Sequence, residues 1–305
     1  MNDTGQFNIM SSIIDAGFNV LRNTDDLRDR PAVLFHFTDM TSMLSIAQSR
    51  CIWASLATNL NDTTEIQYGL DLVRAFFRDG TLAVPQIFLD HVEYYLAPEN
   101  SPQRAALTWR AYVSSFCARA DRPLHWLRYG CRGTGVALGF DSSLMVRPGF
   151  NLIRVIYDPE NQRRFVASLV STIAEKFERA CPGAVADETH RDFRSVAHLT
   201  AQLIWVASPR LKLPSLAGEE EWRLFTHELE CEGIDLSRAH GNVPLPTLSR
   251  TSGTRQIPYK PCVYDQLPVR NIVFGTACTT TPEVLVLREM FPHARVSRSS
   301  VPAGP

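Results

Sequence analysis

Residues 31–55 read PAVLFHFTDMTSMLSIAQSRCIWAS, and this stretch decides the fold class. Ala32–Phe37 is apolar and of strand length, which reads as a buried strand. Asp39 or Thr41 then caps a helix over Ser42–Gln48, because a short side-chain oxygen accepts from the free N–H groups of a first turn. Cys51–Ala54 returns to strand. The unit is strand–helix–strand, with His36 near the end of its first strand.

The same reading extends along the chain. Thr63 or Thr64 caps a helix reaching about Arg78, with Ile66, Leu70, Val73 and Phe77 on one face, and a second helix covers Val84–Leu96. Ala111–Cys117 is β-branched and aromatic, hence a strand. Pro123–Tyr129 is a short helix with proline at its start. Glycines 130, 133, 135 and 139 lead into a strand at Val136–Phe140; phosphate-binding glycine loops are followed by a helix, so this is a tight turn. Asn151–Tyr157 is a strand, and Gln162–Arg179 and Asp192–Val206 are helices of an inserted pair at about 160–208. Trp222–Thr226 is a strand and residues 238–260, rich in Pro, Ser, Gly and Arg, a loop. Asn271–Gly275, a helix over Pro282–Met290 and a strand at Arg295–Ser297 finish the fold. The expectation is one α+β domain over 31–300 with a mixed central sheet, a polar extension at 1–30 weakly amphipathic over Met10–Leu21, and a tail at 301–305.

Net charge is −1, so no bulk field draws the chain to nucleic acid or an anionic membrane. Its seven cysteines are scattered, odd in number and form no Cys-x-x-Cys, which argues against a disulfide framework or structural zinc and fits a reducing compartment. No apolar run approaches membrane-spanning length and no leader pattern opens the sequence. The expectation is a cytoplasmic protein with no membrane partner and no metal.

Five motifs set polar groups into apolar frames, where they must be paired or used on a ligand. His36 lies between Phe35 and Phe37; it is either a satisfied core histidine or a donor to a ligand hydroxyl, with Thr38 facing the same side. Asn61, Asp62 and Glu65 read as a helix cap with a reciprocal box, or as a polar cluster. Ser115 lies in the strand before Cys117. Trp126 and Tyr129 share a side of a short helix, as core or as the wall of a cleft for a flat ring, and Arg128 beside them suits a phosphate or carboxylate. Glu219, Glu221 and Arg223 alternate in an extended chain and so point one way, giving either an internal ion pair or a catalytic glutamate.

This ordered set resembles the bacterial domain-of-unknown-function family 2971 over roughly residues 32–300. The matching residues are His36, Thr38, Trp53, Ser55, Asn61, Asp62, Glu65, Ser115, Phe116, Trp126, Tyr129, Gly130, Gly135, Tyr157, Lys212, Glu219, Glu221, Trp222, Arg223, Gly275 and Ser299 or Ser300. Phe37 stands where the family has Tyr, Thr64 where it has Pro, Cys117 where it has a second Ser, and Leu124-His125 in the region of its Met.

A looser similarity, to the ADP-ribosyltransferase layout, implies an activity. There a strand histidine holds the NAD ribose, an aromatic residue stacks on nicotinamide, and a late glutamate stabilises the positive charge that builds on the ribose as the bond breaks. That similarity implies NAD as co-substrate, with Glu221, or Glu219 in its place, and His36 as catalytic residues. It also implies a ligand site of His36, Thr38, Trp53, Ser55, Trp126, Arg128 and Tyr129, supported by Asn61, Asp62, Glu65, Ser115 and Arg223. His36 and Glu221 are then expected to meet in space. The implied partner is a nucleotide-like small molecule, with a protein or nucleic-acid acceptor, in a bacterial defence or toxin protein. Two alternatives stand beside it: a non-catalytic ligand-binding or interaction module, and a metal-dependent hydrolase or nuclease built on Asp62, Glu65 and His36.

Overall fold

The computed structural model describes residues 3–22, 28–59, 64–97, 107–231, 245–279 and 282–301. The elements run α1 (Asp3–Leu21), β1 (Val33–Thr38), α2 (Met40–Ser49), β2 (Cys51–Leu56), α3 (Thr64–Arg78), α4 (Gln86–Leu96), β3 (Leu107–Cys117), α5 (Pro123–Arg128), β4 (Val136–Asp141) and β5 (Asn151–Arg154). They continue with α6 (Pro159–Ala180), α7 (Phe193–Ala207), β6 (Glu221–Cys231), β7 (Leu248–Ser252), β8 (Arg255–Val263), β9 (Val269–Phe274), α8 (Pro282–Met290) and β10 (Arg295–Arg298). The fold is α+β around one mixed ten-stranded sheet: β9 and β10 are parallel, the other pairs antiparallel.

The opening unit forms as its residues dictate. The Asp39 carboxylate accepts from Ser42 N at 2.8 Å and from Ser42 Oγ at 2.7 Å, capping α2, and Arg50 in the left-handed region ends it. The glycine turn after α5 is a matter of space. A Cβ on Gly135 would overlap the Thr38 carbonyl, and one on Gly275 would overlap the Gly133 backbone.

Both faces of the sheet are covered. One packs Ala111, Val113, Ile153 and Phe225 against α1, α3, α4, α6 and α7. The other packs Leu34, Phe116, Leu138, Phe140 and Trp222 against Met43 and Ala47 of α2 and Leu287 of α8. Ile66, Leu70, Val73 and Phe77 of α3 are all buried, each stabilising by roughly 1.5–3 kcal/mol.

Two expectations need correction. Residues 1–30 are not simply an extension before the core: Ile13, Ile14, Phe18 and Leu21 of α1 are fully buried in the larger core beside α6 and α7. Its stripe is short and polar residues interrupt it, which disguised it. The inserted pair, α6 and α7, forms a covering layer, and α7 packs on β3. The supposed loop at 238–260 contains a hairpin of β7 and β8, turned at Gly253 with positive φ; residues 238–244 of it lie outside the described residues. Pro258 and Pro261 argued against a strand there, yet β8 pairs with both β7 and β2.

Candidate functional site

The sheet divides at β3. One edge of β3 pairs with β6 along its length, from Leu107↔Cys231 to Cys117↔Glu221. The other edge is shared: β1 pairs at Phe35↔Cys117, and β2 at Ser55↔Val113 and Leu56↔Tyr112. Continued in register, Phe37 of β1 and Trp53 of β2 would both fall opposite Ser115. Two strands cannot occupy one edge, so the sheet forks there. Ser115 is exposed at that fork, although its neighbours Ser114 and Phe116 are buried. A central strand of a doubly covered sheet exposes a side chain only where the covering is open, so Ser115 marks the opening.

Two groups from distant elements meet on this serine. The His36 ring reaches the Ser115 carbonyl at 2.9 Å. A carbonyl only accepts, so Nδ1 carries the proton. Burial pushes the His36 pKa down, with the Ser115 carbonyl opposing, which leaves a neutral ring whose Nε2 is an acceptor. The proton of His36 is thus spent on the Ser115 carbonyl, and toward a ligand hydroxyl its remaining nitrogen can accept rather than donate as expected. On the other side, the Ser115 hydroxyl faces the Glu221 carboxylate and helps to hold it ionised. Strand alternation places Ser115, Glu221 and Arg223 on one face and His36 with Phe116 on the other, so His36 arrives through the fork rather than across the cleft.

Behind Ser115 lies a buried ion network. Lys212 Nζ contacts Glu65 at 2.7 Å, Glu219 at 2.5 Å and Glu221 at 3.0 Å. Arg223 binds Glu221 through Nε at 2.8 Å and Glu65 through Nη2 at 2.7 Å, and donates to the Pro209 carbonyl at 2.7 Å. Arg128 and the Tyr129 hydroxyl close on the outer oxygen of Glu219 at 2.7 and 3.0 Å. Three carboxylates thus meet three cations. Glu221 is 4% exposed. Burial alone would raise its pKa, but Arg223, Lys212 and the Ser115 hydroxyl outweigh this and hold it at about 2. Burial likewise works against the Lys212 ammonium, and Glu221 and Glu65 reverse the effect, so its pKa rises. The Glu221 N–H donates to the Tyr157 hydroxyl at 3.2 Å. Cys117, across from Glu221, is driven up by burial and by Glu221, so it is no ready thiolate.

The remaining candidates fall into place unevenly. Tyr129 is 42% exposed and Trp53 40%, and Trp53 stacks on Tyr259 at 4.6 Å between ring centres. These two offer ring surface. Trp126 does not: it is 4% exposed, packs edge-on against Phe37, and donates through Nε1 to Asp121 at 2.9 Å. Helical spacing put it beside Tyr129, but the two rings part, one into the core and one outward. Ser55 is buried and takes a 3.4 Å contact from Arg250. Thr38 ends β1 opposite Val136. Glu65 spends its carboxylate on Lys212 and Arg223 rather than on a capping box. Asn61 and Asp62, with the caps expected from them, lie outside the described residues, although α3 does begin at Thr64.

Glu219 and Glu221 converge, but not by extended-chain alternation. Glu219 ends a 3-10 turn over Pro214–Glu219, and Glu220 at φ 47° swings the chain before β6 starts. Glu220 points away, to Arg119 and Arg122. Two members of the site were not among the candidates: Lys212, in an unpatterned connection, and His125, fully buried and donating through Nε2 to the Glu219 carbonyl at 3.1 Å. Only the place of Lys212 in the ordered motif set hinted at it.

Comparison of the chain with protein-family models, curated proteins and solved structures finds no match. No helix among the described residues is long and apolar enough to cross a membrane.

Proposed function

We propose that the fork is a small-molecule site of ADP-ribosyltransferase type, cleaving the nicotinamide–ribose bond of NAD. The observation that carries this reading is the meeting of His36 and Glu221 on one exposed serine. In it, His36 Nε2 accepts from a ribose hydroxyl, Trp53 or Tyr129 supplies ring surface, and Glu221 faces the charge that develops on the ribose. With a pKa of about 2, Glu221 stays ionised at neutral pH, so its role is charge and not proton transfer. The acceptor is a protein or nucleic acid. Incubation with NAD tests the reading: the chain should release nicotinamide, and Glu221→Gln should lower the rate at least about 100-fold, the scale of losing one electrostatic stabiliser.

One observation favours a second reading, a non-catalytic module that binds a nucleotide-like ligand. Both oxygens of Glu221 and both of Glu219 already hold cations or hydroxyls, so the network is satisfied as it stands. In this reading the charges brace the floor and Ser115 with the exposed rings does the binding. NAD that binds without nicotinamide release selects it.

A further inference from the structure

We infer a zinc-type metal site away from the fork, in the connection between α6 and α7. Three different ligand types converge there: the Cys181 thiol, a ring nitrogen of His190 and the Asp192 carboxylate, with the ligand atoms within 4.8 Å of one another. Cys181 closes α6 and Asp192 opens α7, so a shared ion would tie the ends of the two helices together. Cys181 is 7% and Asp192 1% exposed, which puts two of the three ligands in low-dielectric surroundings where a cation is held strongly.

The Asp192 carboxylate, at the N-cap of α7, already faces a cation, with Arg191 Nε at 3.4 Å. His190 is fixed by an edge-on contact with Phe177 and by its own N–H donating to Asp187 O at 3.0 Å. Its Nδ1 accepts a long 3.3 Å contact from Asp192 N, so as the ring stands Nε2 carries the proton, and a metal at Nε2 needs the other tautomer. Binding there moves the ring proton to Nδ1 and gives up that contact. Glu178 receives Gly183 N at 2.7 Å and so holds the connecting turn in shape.

The donor set selects the metal class. One thiolate, one imidazole and one carboxylate suit zinc, with water in the fourth position; calcium and magnesium want oxygen ligands alone. Zinc–ligand bonds are about 2.0–2.3 Å, so tetrahedral ligands lie roughly 3.5 Å apart and side-chain adjustment of about an ångström closes the set. The thiol proton is released to solvent as the Zn–S bond forms.

The test uses the full chain, stripped with a chelator and titrated with zinc and with cobalt(II). One equivalent should bind, cobalt should show a thiolate charge-transfer band, and X-ray absorption at the zinc edge should count one sulfur. Cys181→Ser and His190→Ala should each weaken binding at least about 100-fold, while Cys131→Ser, at an exposed cysteine, should leave it unchanged. No binding against a competing chelator, a sulfur-free shell, or unchanged affinity in Cys181→Ser would overturn the site. If Cys181→Ser does not fold, the sulfur count on the unaltered chain and the Cys131→Ser control decide.

Discussion

Glu65, in the first turn of α3, and Arg223, on β6, form a 2.7 Å ion pair across 158 positions of sequence. This pair locks the helical layer to the stem of the fork. Both partners also hold others: Glu65 contacts Lys212, and Arg223 contacts Glu221. Glu65→Gln should therefore destabilise by about 1–3 kcal/mol, since it strips charge from a hydrogen-bonded and partly buried group. Arg223→Met should cost roughly 3–5 kcal/mol, because it leaves Glu221 buried with fewer partners. Urea melts of the two variants check the order. Equal and negligible effects would mean that the network is ornamental.

The acid limb of stability carries a signature of Glu221. Its folded pKa is lowered from 4.5 to about 2, so the unfolded chain binds its proton more tightly. The stabilisation is complete above about pH 4.5 and drains away as pH falls toward about 2. The difference in unfolding free energy between the unaltered chain and Glu221→Gln should shrink over that window and stay flat from pH 5 to 8. A difference that grows on acidification contradicts the assignment.

Gly275→Ala should be among the costlier single-methyl changes. The new Cβ would collide with backbone atoms of Gly133, which cannot move as a flexible side chain would. A loss of about 1–3 kcal/mol is expected, read as a lower melting temperature. Gly218→Ala, with nothing near its Cβ, is the matched control.

The α2 cap gives a local check. Asp39→Ala removes the acceptor of Ser42 N and should cost about 0.5–2 kcal/mol. Asp39→Asn, which keeps an acceptor oxygen, should recover most of it.

Much of the fold was legible because its signals are local. The cap at Asp39, the apolar face of α3 and the proline opening α5 each act within a few residues, and each predicted element formed. What escaped depends on distant partners. The α1 stripe is weak and is buried only because α6 and α7 lie over it. Strand β8 carries two prolines and exists because β2 and β7 flank it. The site divides the same way. Glu221, Glu219 and Arg223 were visible as a run, but Lys212 has no local pattern and enters through three ion pairs made by tertiary contact. Trp126 lies in α5 and Tyr129 caps its end, and the packing of Phe37 and the position of Glu219 send one inward and the other out.

The central claim is that Ser115 marks an open ligand site joining His36 to Glu221. The most direct measurement is calorimetric titration of NAD into the chain and into Ser115→Tyr, with nicotinamide release followed in the same samples. Ser115 is exposed, so tyrosine should fill the opening without unfolding the protein. The account predicts NAD binding and nicotinamide release by the unaltered chain, and the loss of both in Ser115→Tyr at an unchanged melting temperature. Binding that Ser115→Tyr leaves intact, or an unaltered chain that neither binds NAD nor releases nicotinamide, would contradict it.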